Sequence, residues 1–319
     1  MQHDIESLSG PSAIWAIEPS RLPFVIALLS QSTWPDATPQ ARVGAATTTA
    51  ARRQQAGSGA MIAVLPLYGI ALQRTDAIGE LLGLVSLQRF TQAFRSVVAD
   101  DSVGGVLIDI DSPGGSVYGV QELADEIYRA RSQKPIVAIA NSLAASAAYW
   151  IGSSAGEFYV TPGGETGSIG VVAAHQDLSQ ALDRQGIKTT LVSAGRHKTE
   201  GNPFEPLGAE ARRHVQTRVD AYYSAFVNSV ARNRGVDVAT VRNGMGQGRV
   251  LSAQAAKAAN MVDDVATFDA VMRKLTQRAG EGEAANRLRA VDGLARPPAN
   301  ARVAAHAAAR LRLIDLLSA

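Results

Sequence analysis

Apolar residues along this chain fall into short continuous runs, and longer segments with a helical period separate those runs. Residues 61–67, 105–110 and 135–140 are apolar almost throughout, which is the pattern of strands buried on both faces of a sheet. Between them, residues 87–98 and 120–131 carry apolar side chains three and four positions apart, which predicts helices with one buried side. Because strands alternate with helices, the pattern predicts an α/β fold with largely parallel strand pairing.

The alternation continues towards the C-terminus with shorter elements. The pattern predicts further strands at residues 158–160, 169–172 and 189–192. It predicts further helices at about residues 145–153, 178–185 and 209–234. Pro66 places the first strand at a sheet edge or a bulge, because proline has no N–H to donate to a neighbouring strand.

Composition divides the chain into three parts. Residues 1–58 form an N-terminal extension, with a helix predicted at residues 19–31 and a flexible linker predicted at residues 36–58. Residues 59–275 hold the alternating strands and helices and form the predicted compact domain. Residues 276–319 are rich in Ala and Arg and predict a helical C-terminal tail.

Charge and composition exclude several classes of function. The 319 residues include 31 Lys and Arg against 29 Asp and Glu, and a net charge of +2 gives no reason to expect a nucleic-acid partner. The absence of cysteine rules out disulfides, thiol catalysis and cysteine-ligated metal sites. No motif with ligand spacing points to a metal or to another cofactor.

The sequence also carries no recognisable targeting or membrane signal. Its first residues are acidic where a secretory leader is basic. The longest apolar runs, such as residues 24–29 and 61–67, fall far short of the roughly 18–20 residues that a membrane-spanning helix needs. We therefore expect a protein without a membrane anchor that stays in the cytoplasm.

Two segments place small residues and a serine where a buried strand ends. Residues 109–116 run from a strand into a Ser-Pro-Gly-Gly turn, whose glycine N–H groups are free to bind an oxyanion. Residues 141–150 run from the next strand into a helix, and Ser146 lies near the helix start, where free N–H groups favour negative charge. Ser142 is the expected helix cap, which leaves Ser146 as a candidate nucleophile.

A third segment, residues 193–204, supplies a candidate base. The chain has only five lysines among its 31 basic residues, and Lys198 lies in this segment. Lysine loses its proton when it is desolvated, and a neutral lysine activates a serine nucleophile. Taken alone, each of the three segments is more commonly an ordinary turn, a packing serine or a solvated lysine.

Four segments taken together resemble a known family. Residues 104–115, 140–150, 166–171 and 193–204 resemble, in order and spacing, the signal-peptide peptidase A family of serine peptidases. The resemblance covers roughly residues 59–275 and is greatest to the phage minor capsid protein C type, the prohead maturation peptidases. It implies the crotonase/ClpP-like spiral of ββα units, with an N-terminal extension and a helical C-terminal tail.

The resemblance assigns a role to each matching position. It makes Ser146 the nucleophile and Lys198 the general base of a Ser-Lys dyad, and it builds the oxyanion hole from the N–H groups of Gly114 or Gly115 together with Ala147. Ala147 stands where many members of the family have a glycine, and it is small enough to keep the helix start open.

The resemblance also implies a lysine-orienting residue, an assembly and substrates. Ser168 is expected to hydrogen-bond the Lys198 ammonium. Family members form rings, so we expect a homo-oligomer in which packing or a neighbouring subunit dries the lysine pocket. The implied substrates are scaffold or capsid proteins, and the chain itself, during phage head maturation in the host cytoplasm or procapsid. Small residues beside Ser146 favour small or apolar residues at the cleavage point.

Four alternatives stay open from the sequence. His175 or His197 would supply the base of a Ser-His-Asp triad. A crotonase-type enzyme acting on acyl-CoA would use the same fold without a serine–lysine pair. A bacterial signal-peptide-degrading peptidase would use the same dyad on other substrates. A catalytically silent capsid-assembly protein would retain the fold without the activity.

Overall fold

The computed structural model describes residues 13–29, 52–55 and 61–295 of the protein. The strands are β1 (Ile14–Ile17), β2 (Arg52–Gln55), β3 (Met61–Tyr68), β4 (Ile70–Leu72), β5 (Leu84–Ser86), β6 (Val103–Ser112), β7 (Gly114–Ser116), β8 (Ile136–Ala145), β9 (Glu157–Val160), β10 (Glu165–Gly167), β11 (Val172–Ala173), β12 (Val250–Ser252) and β13 (Asp264–Val265). The helices are α1 (Leu22–Leu29), α2 (Ala77–Leu81), α3 (Leu87–Ala99), α4 (Val120–Ala130), α5 (Ala147–Ser153), α6 (Ser179–Arg184), α7 (Ala209–Arg234), α8 (Val238–Gly244), α9 (Ala253–Ala258) and α10 (Phe268–Ala295).

The larger sheet is built on long, buried, mainly parallel strands. Its order is β12-β10-β8-β6-β3-β2. Strand β9 also pairs with β8, along the part of β8 that precedes its pairing with β10. Strands β3, β6, β8, β9 and β10 pair in parallel, whereas β2 and β12 are antiparallel to their neighbours. The predicted α/β class with largely parallel pairing is confirmed.

A smaller sheet forms where the central strands of the larger sheet end. Its order is β11-β1-β7-β4-β5. Strand β3 leads directly into β4, and β6 leads through Pro113 into β7; helices α3 and α4 then return the chain to the larger sheet. This strand–strand–helix order occurs in two consecutive units, as the expected spiral of ββα units requires.

The core fills both faces of the larger sheet. On one face, α4 packs with the side chains that recur at helical spacing, namely Val120, Leu123, Ala124, Ile127 and Ala130. On the other face, α10 lays Val271 and Leu275 against Leu107 and Ile139. Strands buried on both faces explain why their sequences are continuously apolar.

The elements differ from the sequence expectations around the site. Strand β8 continues to Ala145 because its last residues pair with β10, so α5 begins at Ala147 and Ser142 lies inside a strand, where it caps no helix. The strand predicted at residues 169–172 is reduced to β11, which begins at Val172. Residues 189–192 form no strand, since their backbone pairs with no strand among the described residues.

The remaining expectations fall at the ends of the described chain. The helix predicted at residues 19–31 is present as a 3₁₀ turn followed by α1. Within the expected linker, Arg52–Gln55 forms strand β2, which pairs with residues 61–64 of β3. The ladder between β2 and β3 therefore ends before Pro66. Residues 276–295 of the predicted helical tail form the C-terminal part of α10, residues 296–319 lie outside the described residues, and the domain boundaries stay predictions. In the described ranges, none of the helices is both long and apolar enough to cross a membrane.

Candidate active site

Ser146 lies at the junction between a buried strand and a buried helix. It follows the last residue of β8 and precedes α5, whose seven residues are all buried. Its backbone has φ 55° and ψ −117°, a left-handed conformation that costs a non-glycine residue on the order of 1–3 kcal/mol. Such strained positions concentrate at functional sites, and a serine on a tight strand-to-helix turn is the usual form of an exposed nucleophile in hydrolases.

The surroundings of Ser146 hold its backbone and leave its side chain weakly bound. The residue is 0% exposed, and its N–H donates to the carbonyl oxygen of Gly167 at 2.7 Å. Its hydroxyl donates to the carbonyl oxygen of Gly170 at 3.4 Å, which is at the long limit of a hydrogen bond. The hydroxyl makes no hydrogen bond to the start of α5 that would cap the helix.

The predicted oxyanion-hole residues meet beside Ser146. A methyl group added to Gly114 would lie 2.3 Å from the carbonyl oxygen of Ala16, 2.9 Å from that of Ala145 and 3.0 Å from the N atom of Ala147. Gly114 has φ +93°, a conformation that favours glycine. Its N–H donates to the Ser112 hydroxyl at 3.2 Å and would have to exchange that partner to hold an oxyanion.

Gly115 completes this close packing on the other side of β7. A methyl group added to Gly115 would lie 1.9 Å from the carbonyl oxygen of Ala71 on strand β4. Both glycines of the turn are therefore required by the approach of neighbouring backbone. The helix start at Ala147 adds N–H groups that have no partner within α5.

Ser168 lies next to Ser146 across two paired strands. Gly167 pairs with Ala145 in the parallel ladder, so the two serines follow neighbouring strand ends, about one strand spacing of 4.8 Å apart. Ser168 is 2% exposed, has φ 53°, and donates its N–H to the carbonyl oxygen of Arg249 at 2.8 Å. The structure thus brings together the two serines that the sequence singled out.

Lys198 makes no hydrogen bond to Ser146 within the described chain. Its side chain is exposed, and it makes no hydrogen bond or ion pair with any described residue. The turn that carries it belongs to the stretch of residues 170–210, in which no residue is buried. The expected dry pocket around the lysine is therefore absent from the single chain.

The histidines of the alternative triad pair with groups other than Ser146. The Nε2 atom of His175 is 3.0 Å from the carbonyl oxygen of Asn202, and the Nδ1 atom of His197 is 2.6 Å from a carboxylate oxygen of Glu200. His197, Glu200 and Glu210 bring possible metal-ligand atoms within 4.8 Å of one another. Internal pairing accounts for this group, since Glu200 contacts His197 and Glu210 pairs with Arg196 at 3.3 Å.

Two features of the site escaped the sequence analysis. Strand β1 lies against Gly114 and Gly115, the predicted oxyanion-hole glycines, although it is about 100 residues distant from them along the chain. Gly170 supplies the carbonyl that accepts the Ser146 hydroxyl. A contact between backbone groups leaves no side-chain pattern, so neither feature has a signal in the sequence.

Comparison with known proteins gives these residues a family context. Residues 128–281 match the model of peptidase family S49. The chain is 36% identical to capsid assembly protease C of Escherichia phage lambda, over 64% of this chain and 46% of the relative. It is 39% identical to head-tail preconnector protein GP5 of Enterobacteria phage P21, over 56% of this chain and 36% of the relative.

A bacterial protein and a solved structure are also similar. A candidate signal peptide peptidase SppA of Enterococcus faecium is 29% identical over 56% of this chain and 52% of the relative. A ClpP1 mutant from Listeria monocytogenes aligns with 64% of this chain and 91% of its own, at 14% identity and a TM-score of 0.39. The chain spans about half the length, or less, of the curated relatives named here.

The matched residues begin within α4 and extend into α10. They contain Ser146, Ser168 and Lys198, and the resemblance read from the sequence motifs is confirmed. Residues 128–281 of this chain are therefore similar to peptidase family S49.

Proposed function

We propose that the chain is a serine endopeptidase in which Ser146 attacks the peptide carbonyl and Lys198 is the general base. The observation that carries the proposal is the geometry of Ser146: a fully buried serine with φ 55° at a helix start, beside the glycines of β7. A structural serine has no need of this strained conformation.

The reaction needs only groups that the chain supplies. Neutral Lys198 takes the proton of the Ser146 hydroxyl while the serine oxygen bonds to the peptide carbonyl carbon. N–H groups at Ala147 and at Gly114 or Gly115 hold the resulting oxyanion, and each such donor contributes roughly 10²–10³ in rate. The lysine then gives its proton to the leaving amine, and water releases the acyl group in a second round of the same steps.

The lysine is proposed to come from a second copy of the chain. Support comes from the exposed stretch of residues 170–210, because a neutral lysine needs a dry environment that this stretch lacks alone. The stretch also exposes large apolar side chains, with Val192 95% exposed; the others are Leu178, Ile187, Leu191 and Phe204. Packing against the Ser146 side of a neighbour would bury these side chains and the lysine together. Repeating that contact around a closed ring gives the expected homo-oligomer.

The proposed substrates are scaffold and capsid polypeptides, and the chain itself, during phage head maturation. Support comes from the names and identities of the two phage relatives, which are 36% and 39% identical to this chain. The SppA relative is more distant at 29%, so the signal-peptide reading is the second candidate.

A fluorophosphonate probe tests the proposed chemistry. Wild type, Ser146→Ala and Lys198→Ala are incubated with the probe, and mass spectrometry identifies the modified residue. We expect labelling at Ser146 in the wild type and none in either variant, with all three proteins folded by circular dichroism. Folded wild type that stays unlabelled, or a Lys198→Ala variant that labels at the wild-type rate, would reject the dyad.

A further inference from the structure

Strand β1 is inserted between two strands that flank the proposed catalytic centre. Trp15 pairs with Ser116 of β7 on one side and with Val172 of β11 on the other, and β1 is antiparallel to both. Neighbouring strands lie about 4.8 Å apart, so removing β1 leaves a slot about 10 Å wide between β7 and β11. Such a slot accepts one extended polypeptide, with backbone hydrogen bonds on both sides.

The register of β1 brings its backbone to the proposed oxyanion donors. Ala16 pairs with Gly115, and Ile17 pairs with Gly114. A methyl group added to Gly114 would lie 2.3 Å from the carbonyl oxygen of Ala16 and 3.0 Å from the N atom of Ala147. A carbonyl of the chain itself therefore lies beside the two groups between which a substrate carbonyl has to be placed.

The side chains of β1 show which sequence the slot accepts. Ile14 and Ala16 face the main core, whereas Trp15 and Ile17 pack in a separate cluster with residues of β4 and β5. Ala16 is 0% exposed and packs in the main core, whereas its neighbours Trp15 and Ile17 are large apolar residues. The slot thus fits an extended segment with a small residue between two large apolar residues.

The segment is held at both ends by backbone hydrogen bonds. The N–H of Glu18 donates to the carbonyl oxygen of Pro113 at 2.8 Å, and the N–H of Val117 donates to that of Ile14 at 3.3 Å. These bonds are made to strand β7 and its turn, the part of the site that carries the glycines. A substrate using the same edge has to displace them.

We propose that residues 13–18 occupy the substrate groove as an intramolecular pseudo-substrate, so that polypeptide substrates enter only when this segment leaves. The inference rests on the proposed function and adds to it the place, direction and side-chain pattern of the substrate. A bound segment lowers the apparent affinity for substrate in proportion to the fraction of molecules that it blocks.

A reversible cross-link tests the proposal in the full-length chain. The protein has no cysteine, so Ile14→Cys combined with Ala173→Cys introduces a single possible disulfide between β1 and β11. Directly opposed antiparallel residues have Cα atoms about 4.5–5.5 Å apart, within the range that a disulfide spans. The two single variants, treated with the same oxidant and reductant, are the matched controls.

Two readouts separate this inference from the proposed function. Cleavage of unfolded casein requires the groove, whereas fluorophosphonate labelling of the reduced protein requires only an activated Ser146. We expect oxidation of the double variant to slow casein cleavage at least about tenfold, and reduction to restore it. The single variants are expected to cleave at the same rate before and after oxidation.

The opposite outcomes are equally distinct. Equal casein cleavage by the cross-linked and reduced forms would show that β1 is a permanent strand and would overturn the inference while leaving the proposed function intact. A folded, reduced protein that neither labels nor cleaves would overturn the proposed function, and the inference would fall with it.

Discussion

Truncation of Phe226 is expected to destabilise the protein by about 3–5 kcal/mol, the usual cost of Phe→Ala in a core. The Phe226 ring on α7 stacks on Trp150 of α5, with centroids 4.6 Å apart and planes 5° from parallel, and both rings are 0% exposed. Alanine would leave a cavity against the helix that follows Ser146, in a core that relaxes only partly. For a domain of this size each kcal/mol lowers Tm by about 2–4 °C, so a fall of roughly 10 °C is expected.

Urea unfolding and thermal melts of Phe226→Ala measure this effect. Phe226→Leu keeps most of the volume and is expected to cost less than about 1.5 kcal/mol. Val238→Ala, at a side chain that is 38% exposed, is the surface control and is expected to change stability by less than about 0.5 kcal/mol. A Phe226→Ala variant as stable as the Val238→Ala control would refute the packing that positions α5.

Three further predictions concern the site and its supports. Gly114→Ala places a methyl group 2.9 Å from the Ala145 carbonyl oxygen and 3.0 Å from the Ala147 N atom at φ +93°, so we expect kcat to fall at least about 100-fold with the fold retained; wild-type turnover would count against the oxyanion hole. Burial opposes ionisation of Glu157, but hydrogen bonds from Tyr159, Arg278 and Lys274 outweigh it and lower the pKa of that carboxyl. Its stabilisation is therefore present above the unfolded-state pKa and is lost as pH falls through the folded pKa. Glu157→Gln is expected to cost about 1 kcal/mol in urea unfolding at pH 7 and progressively less as pH falls through the folded pKa, and a pH-independent difference would contradict this sign. Peptidase activity is expected to be lost in Lys198→Arg, because a guanidinium does not release its proton and cannot act as the base, whereas a wild-type rate in that variant would contradict a lysine base.

Local pattern was enough to predict the elements that the core buries. Helix α7 was predicted with its observed bounds, and α4 to within one residue, because apolar spacing reports which side of a helix is covered. Strands β3 and β6 were predicted because both of their faces are buried. Ser146 and Gly114 became candidates because glycines and serines at strand ends mark backbone turns, whereas Ser168 was expected only from the family resemblance.

Pairing over long distances in sequence could not be predicted in the same way. Residues 189–192 have the composition of a strand, yet they have no strand partner among the described residues. Ser142 has the composition of a helix cap, but the ladder between β8 and β10 moves the helix start to Ala147. The place of β1 beside Gly114 and Gly115 depends on such a ladder as well.

Subunit complementation tests the central claim most directly. Equal amounts of Ser146→Ala and Lys198→Ala chains, both inactive alone, are unfolded, mixed and refolded together. If each site takes its serine from one copy and its lysine from the next, a site is active only when the first copy carries Ser146 and the second carries Lys198. In a random mixture each condition holds for half of the sites, so both hold for a quarter. We therefore predict recovery of about a quarter of wild-type activity. Mixed assemblies of normal size that remain inactive would contradict a Ser146–Lys198 dyad shared between neighbouring copies.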